Sequence, residues 1–303
     1  MKISVLTATY NRAYFLEKLY NSLVKNSDYG INIEWLIMDD GSVDDTKKVV
    51  ENFIKNNSIS NLEIKYYFQE NKGKMVAINN LVEKATGDLI VDCDSDDYFT
   101  FDAFKIIKEA YDENIKAEGD KSKYYGICFL KNDKNGNNIG NDFKNKETTM
   151  FDLYFKEGET GEKAIVFFTD IRKKYKHELV NGEKFITEAR MYHKMDEKYK
   201  MICINKPIMI CEYQEEGYTK NIKKQFIQNK NGYFEYFKEI LQKDMKGVLF
   251  NKRLYAIKHY ILFGYLTENN FKIKYIRNIK NKLLYILLYI PGVIKSRKEY
   301  KRK

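Results

Sequence analysis

The sequence predicts an α/β fold: a mostly parallel sheet flanked by helices, followed by a basic helical extension. Three observations predict it. Short apolar runs alternate with helix-spaced patterns four times between residues 3 and 115, the sign of a parallel sheet with helices on both faces. The runs end in polar loops, and one of them runs straight into a burst of carboxylates, Asp92, Asp94, Asp96 and Asp97. Charge also divides the chain, because Thr219 to Lys303 holds 21 Lys and Arg against 5 Asp and Glu. That excess is larger than the net +10 of the whole chain, so residues 1–218 are net acidic and the two parts face different partners.

Taken in order, Ile3 to Ala8 reads as a buried strand, and from Asn11 a helical pattern spaces Phe15, Leu16, Leu19 and Leu23 by three and four. A second strand, Ile33 to Met38, ends at Asp39-Asp40-Gly41-Ser42. Ser42 with Asp45 three residues later fits a capping box for a helix whose inner face is Val49, Val50, Phe53 and Ile54. Leu62 to Phe68 is a third strand and Gly73 to Ala85 a third helix. Leu89 to Val91 is the fourth strand, and a helix from about Phe101 to Ile115 follows it with Thr100 as its N-cap.

Right-handed crossovers bring the C-terminal ends of parallel strands to one edge, where ligands of such sheets bind. Thr7 to Arg12, Asp39 to Asp40, Gln69 to Lys74 and Asp92 to Asp97 should therefore converge. An extended chain from 92 to 96 would set Asp92, Asp94 and Asp96 on one side, where like charges repel and a divalent cation relieves them best. Read alone, the stretch favours a polar strand end that caps the next helix. No G-x-G-x-x-G follows the first strand and no G-x-x-x-x-G-K-[ST] occurs, so a bound diphosphate would lack a backbone cradle and need a metal. Asp94 and Asp96 would hold it, with phosphate oxygens and water completing a shell of the kind Mg²⁺ or Mn²⁺ prefers.

Five motifs stand in order: Val-Leu-Thr-Ala-Thr-Tyr-Asn-Arg at 5–12, Met-Asp-Asp-Gly-Ser-Val-Asp at 38–44, Asn-Lys-Gly-Lys-Met-Val-Ala-Ile-Asn at 71–79, Ala-Thr-Gly-Asp at 85–88, and Asp-Ser-Asp-Asp at 94–97. Together they resemble the family 2 glycosyltransferases, continuously to about residue 105 and more thinly to Gly217. The resemblance implies a glycosyltransferase A-type catalytic domain over residues 1–218, with 219–303 as the helical extension. It implies inverting, metal-dependent transfer of a sugar from a UDP-sugar to a hydroxyl of a glycan or lipid-linked acceptor in cell-surface polysaccharide synthesis. It sets Thr9 and Tyr10 beside the base, and Asp40 as acceptor of the uracil N3–H. Lys74, opening a helix beside Lys72 and Gly73, would meet a phosphate or the donor sugar. Asp96 would bind the metal and Asp94 the metal or the ribose. Asp92 would accept from behind and Asp97 would orient the next loop.

In the acceptor half, Met150 to Phe155 is a short amphipathic piece in a polar stretch and Ala164 to Thr169 another strand. Gly182 to Arg190 resembles the segment where the family carries its acidic base at a helix start. Glu188 is the choice, with Glu183 in reserve, because inverting transfer needs one carboxylate to take the acceptor's proton. Met201 to Tyr213 gives two apolar runs split by Lys206-Pro207, read as a hairpin or edge turn. Glu212 to Thr219 resembles a loop that closes over the diphosphate, through Tyr213 or Thr219. The family's His or Trp near there is absent, which leaves the third metal ligand open.

The tail carries helix-spaced apolar residues from Gln225 to Phe263. Leu283 to Ile294 is too short to span a bilayer, which takes about 20 residues. Flanking Lys and Arg suit an in-plane anchor on an anionic membrane surface through 280–303, the rival being a helix docked on the catalytic domain. Nucleic acid is disfavoured, since no helix-turn-helix, zinc, RNP or KH signature accompanies the charge. Cys93, Cys128, Cys203 and Cys211 show no C-x-x-C pairing and no secretory signal precedes Ile3, so free thiols and a cytoplasmic setting, peripheral on the membrane face, are expected. Two other functions fit the same sheet edge: a nucleotidyltransferase, separable by its pyrophosphate product, and a non-catalytic membrane scaffold, separable by lack of metal-dependent UDP binding.

Overall fold

A computed structural model describes residues 1–117, 121–180, 182–212, 222–269 and 272–300. The loop candidates Tyr213 and Thr219 lie outside the described residues, as do Lys301 to Lys303.

The elements run β1 (Lys2–Thr9), α1 (Leu16–Asn26), β2 (Asn32–Asp39), α2 (Thr46–Asn56), β3 (Leu62–Phe68), α3 (Lys74–Lys84), β4 (Leu89–Asp92), β5 (Tyr98–Phe99) and α4 (Ala103–Tyr111). Then come β6 (Tyr124–Asp133), β7 (Glu147–Thr148), α5 (Met150–Phe155), β8 (Lys163–Phe168), α6 (Thr169–Arg172), α7 (Ala189–Met195) and β9 (Lys200–Cys211). Four helices close the chain: α8 (Ile222–Gln228), α9 (Lys230–Gln242), α10 (Phe250–Leu266) and α11 (Ile279–Glu299).

One sheet takes the order β3-β2-β1-β4-β8-β6-β9-β5, with β7 against β9. The expected parallel arrangement holds for β3, β2, β1 and β4. Beyond β4 the sheet is mixed: β8 is antiparallel to β4 and β6, while β6 and β9 are parallel. Ile3, Val5, Leu6, Leu36 and Ile37 are fully buried, as strands covered on both faces require. Helix α1 turns Leu16, Leu19 and Leu23 into this core, the face its spacing predicts.

Four local expectations fail. Ser42 caps no helix: its Oγ accepts from the Asn11 N–H, and Asp44 instead accepts from Thr46 N–H and hydroxyl at the start of α2. Thr100 caps nothing either, since the Asn26 side chain reaches across to accept the Phe104 N–H, and α4 starts at Ala103 and ends in a π-turn, Asp112–Lys116. The split at Lys206-Pro207 is no hairpin. β9 runs through it as one strand and absorbs the proline as a register shift against β6, near Leu130. The chain from 92 to 96 does not stay extended, because β4 ends at Asp92 and the Asp97 N–H bonds the Asp94 carbonyl in a turn. β6 and β7 are not among the expected elements, although Tyr124 to Leu130 is a continuous apolar run.

A second apolar core joins Phe151 and Phe155 of α5 to Phe234, Phe237, Tyr260 and Phe263 of the terminal helices. Arg190 fastens the two parts, donating to both Glu239 oxygens at 2.7–3.1 Å.

Candidate active site

Because β1, β2, β3 and β4 are parallel, Thr9, Asp39, Phe68 and Asp92 end at one edge. The loops there are laced together. Asn11, held at φ 52°, donates its N–H to Ser42 and accepts from Val43 N–H, while the Thr9 carbonyl accepts from Asp40 N–H. This lacing fixes the first loop against the second. It leaves Tyr10 half exposed and Thr9 buried, with a hydroxyl that has no hydrogen-bond partner among the described residues.

Asp39 and Asp40 turn their carboxylates inward. Asp39 accepts from Ser42 N–H and the Tyr66 hydroxyl, both at 2.7 Å. Asp40 Oδ1 accepts from the Gln69 amide and Lys72 N–H, and its Oδ2 from Gly73 N–H at 2.8 Å. A carboxylate oxygen can accept twice, so Oδ2 keeps one acceptor position. The same bonds pin the start of α3, and Gly73 is needed there. It sits at φ +96° with Lys184 pressed against it, where a Cβ would fall 2.1 Å from the Lys184 carbonyl oxygen. Lys184 Nζ in turn donates to the Asn71 carbonyl and side chain, so the segment before Glu188 is clamped onto α3.

Lys74, the first residue of α3, joins two carboxylates. Its Nζ lies 2.8 Å from Asp94 Oδ1 and 3.2 Å from Glu188 Oε1, and Glu188 stands at the N-cap of α7. Burial would lower the Lys74 ammonium, but Asp94 and Glu188 outweigh it and hold it well above its usual range. Burial likewise works to raise the Asp94 carboxyl, and Lys74, Lys131 and Arg12 bring it below normal. Asp96 differs. Burial and then the Asp94 charge push it up, against the Arg12 guanidinium at 3.1 Å.

Asp97 lies deeper. Asp97 accepts from Lys131 Nζ at 3.1 Å and faces the Cys211 thiol, so it is tied to β6 and β9. Asp92 has one oxygen without a hydrogen-bond partner and another 3.9 Å from the fully buried Arg172, and burial pushes its carboxyl up. Lys131, Arg172 and Lys184 are members of this edge that sequence reasoning missed, and nothing local marks them. Arg12 was expected at the edge as the end of the first motif, but its pairing with Asp96 was not.

The donor set suits a hard divalent cation: two carboxylate-bearing residues, Asp94 and Asp96, just past the end of β4. It supplies only part of a six-oxygen shell. Among the described residues no group of three His, Cys, Asp or Glu could hold a metal, so the remaining oxygens would come from ligand and water. The four cysteines are free, as expected, and all four are buried.

Comparison with known proteins adds an independent line. A glycosyltransferase of Mycoplasma genitalium, MG060, is 39% identical over 123 residues, 38% of this chain and 40% of that protein, so the chain matches well under half of its length. The GalNAc(5)-diNAcBac-PP-undecaprenol beta-1,3-glucosyltransferase of Campylobacter jejuni is 27% identical over 256 residues, 81% of this chain and 75% of that one. Staphylococcus aureus TarS 1-349 in complex with UDP-GlcNAc shares the fold with a TM-score of 0.60 and 20% identity, covering 97% of this chain and 82% of that one. The family model described as Glycosyl transferase family 2 matches residues 4–175, more than half of the chain. The order of strands, the motifs at their ends and this match agree: the chain belongs to glycosyl transferase family 2 and has the glycosyltransferase A-type fold.

Proposed function

We propose that this protein is an inverting, metal-dependent glycosyltransferase that moves a sugar from a UDP-sugar to a hydroxyl of a glycan or lipid-linked acceptor in cell-surface polysaccharide synthesis. The observation that carries it is the Lys74 bridge, which brings Asp94 and Glu188 within reach of one ammonium. Residues 1–218 form the catalytic part in this reading and 219–303 the helical extension, at the cytoplasmic face of a membrane. The TarS complex and the Campylobacter enzyme support a UDP-sugar donor and an acceptor of this class.

Tyr10 offers its exposed ring to the base, with the spare position on Asp40 Oδ2 and the unpartnered Thr9 hydroxyl for the nucleoside. Asp94 and Asp96 would hold Mg²⁺ or Mn²⁺, which when bound neutralises the diphosphate. Lys74 adds a positive charge on the same side. Glu188 takes the acceptor's hydroxyl proton as that oxygen bonds to C1, and the bond from C1 to the diphosphate breaks with its electron pair leaving on UDP.

A thermal-shift panel of nucleotide sugars, with and without Mn²⁺, tests the donor, because a ligand selective for the folded state raises the midpoint. Stabilisation by a UDP-sugar only with metal, and transfer lost in both Asp96→Ala and Glu188→Ala, is the expected result. Wild-type transfer by both variants overturns the assignment.

A further inference from the structure

Helix α11 is apolar on two opposite sides, and only one of them is used. Tyr285 and Ser296 are buried on the inner side, where Tyr285 packs on Tyr260 of α10 and Gly292 sits so close to Ile261 that a Cβ would come within 2.9 Å of its Cγ2. The outer side carries Ile279, Leu283, Ile286, Leu287, Ile290 and Ile294, all exposed, with Leu287 at 72% and Ile290 at 69%. Steps of three and four place these six on one stripe, opposite the packed face. A helix that is apolar all round normally lies in a core, so the outer stripe lacks its cover.

The rim of the stripe says what the cover is. At 3.6 residues per turn Lys280 and Lys298 flank one side of it and Lys282 the other, with Arg297 in line at its end. None of these four makes an ion pair among the described residues. We infer that the outer face of α11 is a docking surface for an anionic lipid bilayer, on which the helix lies in the plane of the interface. Its apolar stripe enters the acyl boundary while the lysines meet lipid phosphates. No described helix is long and apolar enough to cross a membrane. A second copy is a poorer cover, because it would bring two basic rims together, and apart from Arg297 at its end the stripe holds none of the Trp, Tyr or Arg anchors that dominate protein interfaces.

This deepens the membrane part of the proposed function, and its test needs neither donor nor acceptor. Loss of vesicle binding would leave the transfer reading standing, and loss of transfer would leave this one standing. The full chain is floated with vesicles of phosphatidylcholine alone or with an equal part of phosphatidylglycerol, at low and high salt. The wild type is expected to bind the anionic vesicles and to be weakened by salt. The Leu287→Ser/Ile290→Ser variant, altered at exposed positions, should keep its circular dichroism and bind at least about tenfold more weakly even at low salt. Lys280→Glu/Lys298→Glu should lose the preference for anionic lipid. The inference is overturned if the wild type stays unbound, if the apolar variant floats like it, or if ultracentrifugation shows a dimer that this variant dissociates.

Discussion

At the N-terminal edge of the parallel strands Glu34 is fully buried, and every direction around its carboxylate is filled. Its Oε1 accepts from the Ser4 hydroxyl, Thr86 N–H and Gly87 N–H, and its Oε2 from the Thr86 hydroxyl and Lys2 Nζ at 2.8–2.9 Å. At the C-terminal edge of the same strands, Asp92 keeps an oxygen with no hydrogen-bond partner, Thr9 keeps such a hydroxyl, and Asp96 meets one guanidinium. Burial acts on both ends with opposite results. Hydrogen bonds from Ser4, Thr86 and Lys2 outweigh it at Glu34 and hold that carboxyl at about 2, whereas at Asp92 and Asp96 burial prevails and the carboxyls rise. Charge that serves the fold is satisfied by the chain itself. Charge left short of partners is available to a ligand.

Exchanging one carboxylate at each end should separate activity from stability. Asp96→Ala is expected to lower kcat/KM by about 10³-fold and Glu188→Gln by about 10²- to 10⁴-fold, with unfolding free energies within about 1 kcal/mol of wild type. Steady-state kinetics beside urea unfolding checks both, and a collapse in stability with Asp96→Ala would erase the distinction. Glu34→Gln should do the reverse, costing about 3 kcal/mol because Lys2 and the Thr86 and Gly87 donors lose a charged partner, while the folded fraction keeps its kcat. The pH dependence has a definite sign. Glu34 has a folded value of about 2 against an ordinary 4.5, so its contribution is complete above pH 4.5 and disappears as pH falls through 2. It amounts to roughly 3 kcal/mol, and Glu34→Gln should flatten that part of the acid unfolding curve.

How far this contrast could be read in the sequence depends on range. The parallel half was legible because Ile3 to Ala8, Ile33 to Met38 and Leu62 to Phe68 are strand-length, mainly apolar runs between helix-spaced segments, and such patterns are local. The helix caps were misread because a local signal, Ser42 or Thr100, was outcompeted by partners brought in by the fold, Asn11 and Asn26. Pro207 looked like a breaker, and only the register shift against β6 shows how one strand absorbs it. At the site the residue types were visible, Asp94, Asp96, Lys74 and Glu188 among them. Their pairing was not, since Lys74 meets Glu188 across 114 residues and Arg12 meets Asp96 across 84. The satisfaction of Glu34 was equally hidden, because its donors come from β1 and from the turn before β4.

A smaller change bears on how the open end is held together. Gly73→Ala puts a methyl group 2.1 Å from the Lys184 carbonyl oxygen, at a φ that L-residues disfavour. The segment leading to Glu188 must then move. A loss of roughly 1–3 kcal/mol is expected, with kcat reduced about tenfold through displacement of Glu188. An unchanged kcat would mean that the clamp through Lys184 does not position the base.

The smallest effect sharpens the comparison most. Thr9→Val replaces a buried hydroxyl that makes no hydrogen bond in the described structure with a methyl group of the same shape. If the hydroxyl belonged to the fold, as the Ser4 and Thr86 hydroxyls do around Glu34, its removal would cost about 1 kcal/mol. Lacking a partner, it should instead change stability by no more than about 0.5 kcal/mol, with the sign towards stabilisation because a desolvated polar group is removed. The effect should appear in the KM for the UDP-sugar, raised a few-fold at unchanged kcat, the pattern of a lost contact made equally in ground and transition states. A destabilised variant with unchanged KM would place Thr9 with Glu34, among the residues whose polar groups serve the sheet.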